Sequence, residues 1–208
     1  MPQTTPDTRE RILDTAEALF AEKGLAATSV RDIATAAGLT PASLYNHFEG
    51  KEALYAAVLE RGIRPLFESL EEAPEAGSDE LHGMILRHAM EVLAARPNLP
   101  RLIYHEAIGG GTHLVPLLRA WIPPIMARAL SNLKRDVEFP FSEREYRHFI
   151  AMWAQLIVGY FAVAPLMNEF LDGDALAPEA VERQTRFLLD IAHRIATGEP
   201  LADEAASA

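Results

Sequence analysis

The chain has 208 residues, 49% of them hydrophobic, with no cysteine and a formal net charge of −11. This length allows one or two small domains with a buried core, and the lack of cysteine excludes disulfide bonds and thiolate metal sites. The N-terminus lacks the pattern of a signal peptide, and no uncharged apolar run is long enough to span a membrane, so we expect a cytoplasmic protein without a membrane partner.

The first predicted element is a helix from about Thr8 to Lys23. Asp7 can cap its N-terminus, and Gly24 can end it in a left-handed conformation. Residues 1–51 hold five basic and seven acidic residues, so most of the negative charge lies in the rest of the chain. We therefore expect local rather than global positive potential at any DNA-binding surface.

The stretch 28–51 predicts two short helices joined by a tight turn. Ser29 can cap the first helix while Asp32 returns the hydrogen bond, and Gly38 suits the left-handed residue that follows it. Thr40 can cap the second helix, with Pro41 at its first position. This second helix contains no acidic residue, and its outward positions are small, hydroxylated, aromatic or amide. Such a surface suits a nucleic-acid groove, as in a helix-turn-helix.

A set of spaced residues in the first quarter of the chain carries a family resemblance: Arg11, Ile12, Ala16, Leu19, Phe20, Gly24, Thr28, Ile33, Ala34, Ala37, Gly38, Pro41, Ser43, Leu44, Tyr45, His47, Phe48, Lys51, Leu54 and Tyr55. This segment resembles the DNA-binding domain of the TetR family of bacterial transcriptional regulators. The resemblance implies DNA contacts within one set of residues: Thr28, Ser29, Arg31, Thr40, Pro41, Ala42, Ser43, Tyr45, Asn46, His47 and Lys51.

The expected contacts are of two kinds. The resemblance implies phosphate contacts for Tyr45, His47 and Lys51, and for the start of the first short helix near Thr28 and Ser29, where a helix N-terminus binds phosphate. The candidates for base or groove contact are Arg31, Thr40, Ala42 and Ser43. Asn46 suits either adenine or phosphate.

Further helices are predicted over about 51–70, 79–95, 99–108 and 113–135. A kink is expected near Gly62 and Pro65, a break at the three glycines 109–111, and a bend or break at Pro123 and Pro124. Segment 139–145 predicts a loop that ends in a capping box from Ser142 to Glu145. The tails 1–6 and 201–208 are expected to lack regular structure.

A long helix is predicted over 143–171 and a last one over 178–197. The helix over 143–171 is apolar on two faces, which indicates a core on one side and a partner subunit on the other. The fold class is therefore all-α with about nine helices. We expect a three-helix, helix-turn-helix DNA-binding domain over 1–52 and a helical ligand-binding and dimerisation domain over 53–208.

The family resemblance also implies an effector cavity in the C-terminal domain, although many of its aromatic and methionine residues are expected to be core. Flexible methionine and aromatic side chains suit a small, largely apolar effector with one polar contact. The candidate ligand-binding residues are Tyr104, His105, Trp121, Met126, Phe149, Met152 and Trp153.

The sequence contains neither the HExxH spacing of a zinc site nor the common nucleophile and phosphate-binding motifs. We expect no metal, no cofactor and no catalytic residue. The expected function is that of a ligand-responsive repressor that binds a palindromic double-stranded DNA operator as a homodimer. Two alternatives stay open, a helical adaptor that acts through protein contacts and an all-α enzyme that uses the cavity.

Overall fold

The computed structural model describes residues 8–72, 78–133, 142–171 and 173–197, and all regular structure in these ranges is helical. The all-α prediction is confirmed. The helices are α1 (Thr8–Ala27), α2 (Val30–Ala36), α3 (Pro41–Tyr45), α4 (Lys51–Glu72), α5 (Ser78–Ala95), α6 (Asn98–Ile108), α7 (Leu114–Leu133), α8 (Glu143–Ala162), α9 (Ala164–Leu171) and α10 (Pro178–Thr197). The predictions for both tails, for 73–77 and for 134–141 lie outside the described residues.

The single helix predicted over 143–171 is wrong. The chain forms α8 and α9, which meet at Val163 with a bend of 86°. Pro165 explains the break, because it has no N–H to donate and its ring would clash with the carbonyl of Phe161 in a continuous helix. Pro165 instead lies in the first turn of α9, where a missing donor costs little.

The proline pair in α7 has the opposite outcome. Helix α7 continues from Leu114 to Leu133 with Pro123 and Pro124 inside it, so the pair does not break the helix. The two backbone carbonyls that lose their partners belong to Arg119 and Ala120, which are exposed. Water can bond these carbonyls, which lowers the cost of the prolines.

The chain divides into two compact units. The first contains Met1–Pro65 and Arg96–Ala120, and the second contains Leu66–Ala95 and Trp121–Ala208. The first unit therefore holds α1–α3 with α6, while α8, α9 and α10 lie in the second with α5. Helices α4 and α7 each contribute to both units. The predicted functional boundary at residue 52 stays a prediction.

The first unit has an apolar core and an ionic clamp between α1 and α4. Its fully buried core includes Ile12, Phe20, Ile33, Leu44, Leu54, Tyr55 and Leu59. The guanidinium of Arg61 donates to Glu10, Asp14 and Glu17 of α1 at 3.1, 2.7 and 2.7 Å. Three carboxylates of α1 therefore have a cationic partner on α4.

The second unit is organised by α8. One face of α8 is buried, with Tyr146, Phe149, Trp153, Ile157, Tyr160 and Phe161. The second apolar stripe is exposed at Met152 and Leu156. Within the described ranges no single helix is long and apolar enough to cross a membrane, and only α8 and α9 together, as a bent pair, reach that length and composition.

Candidate DNA-binding and ligand-binding sites

The start of α2 is held by a capping box. The Oγ of Ser29 accepts from the amide of Asp32 at 3.1 Å, and the carboxylate of Asp32 accepts from the hydroxyl and amide of Ser29 at 2.6 and 3.2 Å. The hydrogen bonds from the side chain and backbone of Ser29 lower the pKa of Asp32. Residues three apart thus fix where α2 begins, as the sequence predicts.

The turn between α2 and α3 is also fixed by local hydrogen bonds. Gly38 has a φ of 68°, and the amide of Leu39 donates to the carbonyl of Ala34 at 2.8 Å. The hydroxyl of Thr40 then accepts from the amide of Ser43 at 3.2 Å, and Pro41 is the first residue of α3. These local contacts set the direction in which α3 leaves the turn.

Helix α3 and the residues directly before and after it hold most of the residues predicted to contact DNA. Leu44 is fully buried and anchors the helix, whereas Tyr45 is 53% exposed. The other predicted residues here are Thr40, Pro41, Ala42, Asn46 and His47, which are exposed, and Ser43, which is partly buried. Ser29 and Arg31 are also exposed. The accessible surface of α3 and of the residues that flank it therefore carries hydroxyl, amide, imidazole and phenol groups.

Two predicted DNA contacts have partners at the end of α1. Thr28 is only 2% exposed, and its hydroxyl donates to the carbonyl of Gly24 at 2.8 Å. The ammonium of Lys51 donates to the carbonyl of Leu25 at 2.8 Å. Because the hydroxyl of Thr28 is already bonded, a phosphate at this position would have to be contacted by the backbone amide of Thr28. A phosphate bound by Lys51 would have to replace or share the hydrogen bond to Leu25.

The second unit contains an apolar cleft between α5, α8 and α10. It is open to solvent, holds about 50 Å³ of free space, and is lined by His82, Ile85, Leu86, Phe149, Ile150, Trp153, Ile157 and Ala192. The Nε2 of His82 lies 2.7 Å from the hydroxyl of Tyr146, whose pKa is raised by burial to about 12. Trp153 is 7% exposed, and its indole N–H has no hydrogen-bond acceptor among the described residues.

The structure brings together only part of the predicted ligand site. Of the predicted residues, Phe149 and Trp153 line the cleft, whereas Met152 lies on the exposed face of α8. Tyr104 and His105 belong to α6 in the first unit.

The two predicted residues on α7 are outside the cleft lining. Trp121 packs against Phe67, with ring centroids 5.1 Å apart, and Met126 is partly buried. Sequence reasoning missed the α5 side of the cleft, because His82 and Ile85 look like ordinary positions of an amphipathic helix. Among the described residues, no three His, Asp or Glu side chains group in a way that could hold a metal ion.

The helix-turn-helix geometry has a counterpart among known proteins. Residues 12–58 match the family described as bacterial regulatory proteins, tetR family. The chain carries a TetR-family helix-turn-helix domain. This match includes α2 and α3 and the first turns of α4, so the resemblance carried by the sequence is confirmed.

Relatives of known name match over part of their length. The repressor KstR2 of Rhodococcus jostii is 46% identical over 71 residues, which cover 34% of this chain and 35% of KstR2. The regulator AcrR of Shigella flexneri is 34% identical over 110 residues, covering 50% of this chain and 51% of AcrR. The matched segments thus span about a third to a half of these relatives.

Solved structures extend the likeness of the fold to nearly the whole chain. SCO4942 from Streptomyces coelicolor is 26% identical, with a TM-score of 0.69 over 91% of this chain and 98% of its own. SmeT, the repressor of the Stenotrophomonas maltophilia multidrug efflux pump SmeDEF, is 23% identical, with a TM-score of 0.67 over 98% and 97%. The TetR-family domain and the helical region after it therefore form a known overall fold.

Proposed function

We propose that the chain is a ligand-responsive transcriptional repressor that binds a palindromic operator as a homodimer and is released by a small, largely apolar effector. The observation that carries this proposal is the exposed face of α3 within a TetR-family domain. The names of KstR2 and SmeT as repressors support repression over activation. Because a bacterial chromosome lies in the cytoplasm, this function implies a cytoplasmic protein.

DNA recognition follows from the surface of α3. A helix that enters the major groove can bring Ser43 and Asn46 to base edges, while Tyr45 and His47 bond phosphates on either side. The net charge of −11 does not oppose this arrangement strongly, since residues 1–51, with five basic and seven acidic residues, carry only −2 of it. The affinity should fall steeply with salt, as expected for a protein that neutralises phosphates.

Dimerisation explains a set of large apolar side chains that stay exposed in the second unit. They are Met152 and Leu156 on α8, Leu166 and Phe170 on α9, and Phe187 on α10, with Phe170 72% exposed. A second copy of this chain is the occupant we propose, because a palindromic operator requires two recognition helices related by two-fold symmetry. Burying these side chains against the same residues of the partner would remove them from water.

The effector is assigned to the cleft between α5, α8 and α10. Its lining is nearly all apolar, and the indole N–H of Trp153 is a buried donor without a partner among the described residues. A ligand with an apolar body and one hydrogen-bond acceptor would satisfy this donor. The ligand would shift the population toward a conformer whose recognition helices do not match the operator spacing.

The test is selection of operator DNA from a random double-stranded pool, followed by fluorescence anisotropy at two salt concentrations. The double variant Tyr45→Phe with His47→Ala should bind the selected operator about tenfold more weakly, whereas Tyr104→Phe on α6 is the matched control and should bind normally. An intact dimer that enriches no sequence would contradict the proposal. That result is also what a helical adaptor would give.

A further inference from the structure

A carboxylate is buried in the first unit where α6 meets the start of α7. Glu106 is 7% exposed, and one carboxylate oxygen accepts from the amides of His113 and Leu114 at 2.8 and 3.0 Å. Its other oxygen lies 3.2 Å from the Nδ1 of the His113 ring. Glu106 therefore bonds the first free amides of α7 across the three-glycine turn.

The same cluster reaches α4 and α1 through aromatic rings. The ring of Tyr55, on α4, lies 5.2 Å from the ring of His113 and 4.9 Å from that of Phe20, both in edge-on contact. Tyr55 is 1% exposed, and its pKa is raised by burial and further by the charge and hydrogen bonding of Glu106. Four helices thus meet at one buried carboxylate and one buried phenol.

Helix α6 also contacts the end of α1 beside this cluster. A Cβ on Gly24 would lie 3.9 Å from the Nδ1 of His105, the neighbour of Glu106. Gly24 is the kink of α1 whose carbonyl accepts from Thr28, just before α2 begins. A displacement of α6 would therefore disturb the packing of both Tyr55 and Gly24, the residue at the kink that leads into the helix-turn-helix.

A buried, hydrogen-bonded cluster of this kind is expected to switch between distinct packing arrangements and not to deform gradually. Burial raises the pKa of Glu106, but hydrogen bonds from His113 and Leu114 outweigh it, so the pKa lies below its usual value and the group is charged. A buried charge that loses some of its donors is costly, so the start of α7 cannot separate from Glu106 without a large rearrangement. The start of α7, Glu106 and Tyr55 should therefore move as one body.

We propose that Glu106 is a positioning residue for operator binding, which couples the start of α7 to α4 and α1 through His113, Tyr55 and Phe20. This inference rests on the proposed function, since it concerns operator binding by the DNA-binding domain. Coupling is reciprocal: if the state of α7 changes the affinity for DNA, DNA must change the state of α7. The amides of His113 and Leu114 report that state, although neither is a predicted DNA contact.

The experiment is amide hydrogen exchange of the dimer with and without its selected operator. In the wild-type protein the exchange of the His113 and Leu114 amides should slow by about fivefold or more on DNA binding, the lower end of typical allosteric couplings. Glu106→Gln should abolish this change, and Tyr55→Phe should weaken it while keeping the aromatic contacts. Glu91→Gln removes the same charge from an exposed position on α5 and should leave the change intact.

The outcomes separate this inference from the function on which it rests. Equal exchange at both amides with and without operator, or full protection in Glu106→Gln, overturns the coupling while leaving the repressor function in place. Failure to select any operator overturns both. If Glu106→Gln does not fold, Tyr55→Phe alone tests the coupling, because it retains the carboxylate and its backbone donors. An operator-dependent change in exchange as large as that of the wild-type protein would then overturn the coupling.

Discussion

The two compact units are stabilised in different ways. In the first, a local capping box fixes the start of α2, and ion pairs such as the one between Arg61 and Glu17 join α4 to α1. In the second, long helices bury one apolar stripe and leave another exposed, as Trp153 and Leu156 of α8 illustrate. The difference teaches that local caps and ion pairs define much of the first unit. The second unit leaves a set of large apolar side chains exposed, and we propose that a second copy of the chain covers them.

The largest expected effect comes from the exposed apolar surface of the second unit. Phe170→Glu should weaken the proposed homodimer by roughly 2–4 kcal/mol, because a large aromatic side chain buried at an interface can contribute this much. The unfolding of the monomer should hardly change, since the side chain is exposed. Sedimentation equilibrium measures the dimer affinity. Ile108→Glu, at another exposed apolar position on α6, is the control, and an equal loss of dimer there would refute the assignment.

The next effect concerns the ionic clamp of the first unit. Arg61→Ala should lower the free energy of unfolding by about 2 kcal/mol, because it leaves the part-buried carboxylate of Glu17 without a cation, while the pairs with Glu10 and Asp14 are more exposed and screened. Arg64→Ala, which breaks an exposed pair with Glu60 on the same helix, should cost only about 0.3–0.5 kcal/mol. Urea unfolding measures both, and similar losses would mean that the clamp contributes little.

Two equivalent helix N-caps, one in each unit, allow the two units to be compared directly. Ser29 caps α2 and Ser142 caps α8, each with an acidic residue three positions later. Replacing either serine by alanine should cost about 1 kcal/mol of stability. Only Ser29→Ala should weaken operator binding, because α2 supports α3 and Ser29 is itself a predicted phosphate contact. Anisotropy and urea unfolding of both variants test this, and an equal loss of DNA affinity in Ser142→Ala would contradict it.

The smallest expected effect is a dependence of the folding stability on pH. The pKa of Glu106 is lowered in the folded state, so its ionised form stabilises the protein above the pKa of the unfolded chain, and this contribution is lost as the pH falls through the folded pKa. The stability difference between wild type and Glu106→Gln should therefore shrink below about pH 4.5. Thermal unfolding over pH 3–7 measures it, and a difference independent of pH would show that the charge is not involved.

Local contacts made most of the first unit predictable. Gly24, the Ser29 box, Gly38 and Thr40 all act over three or four residues, so the residue types reveal the kink of α1, the start and end of α2 and the start of α3. The capping box of α8 was predictable for the same reason. The break at Val163 was missed because the apolar pattern of α8 continues into α9, and Pro165 carries the only local signal against it.

The sequence by itself determined the fold class, the helix-turn-helix and its family, since these depend on short-range spacing and on helix-ending residues. Tertiary structure alone decided which distant groups meet. The clamp of Arg61 joins residues 44 to 51 positions apart, and the cleft joins His82 to Trp153 and Ala192. Nothing in the spacing of Tyr55 and Glu106 indicates that they share one buried site, because only the packing of helices brings residues so far apart in the chain into contact.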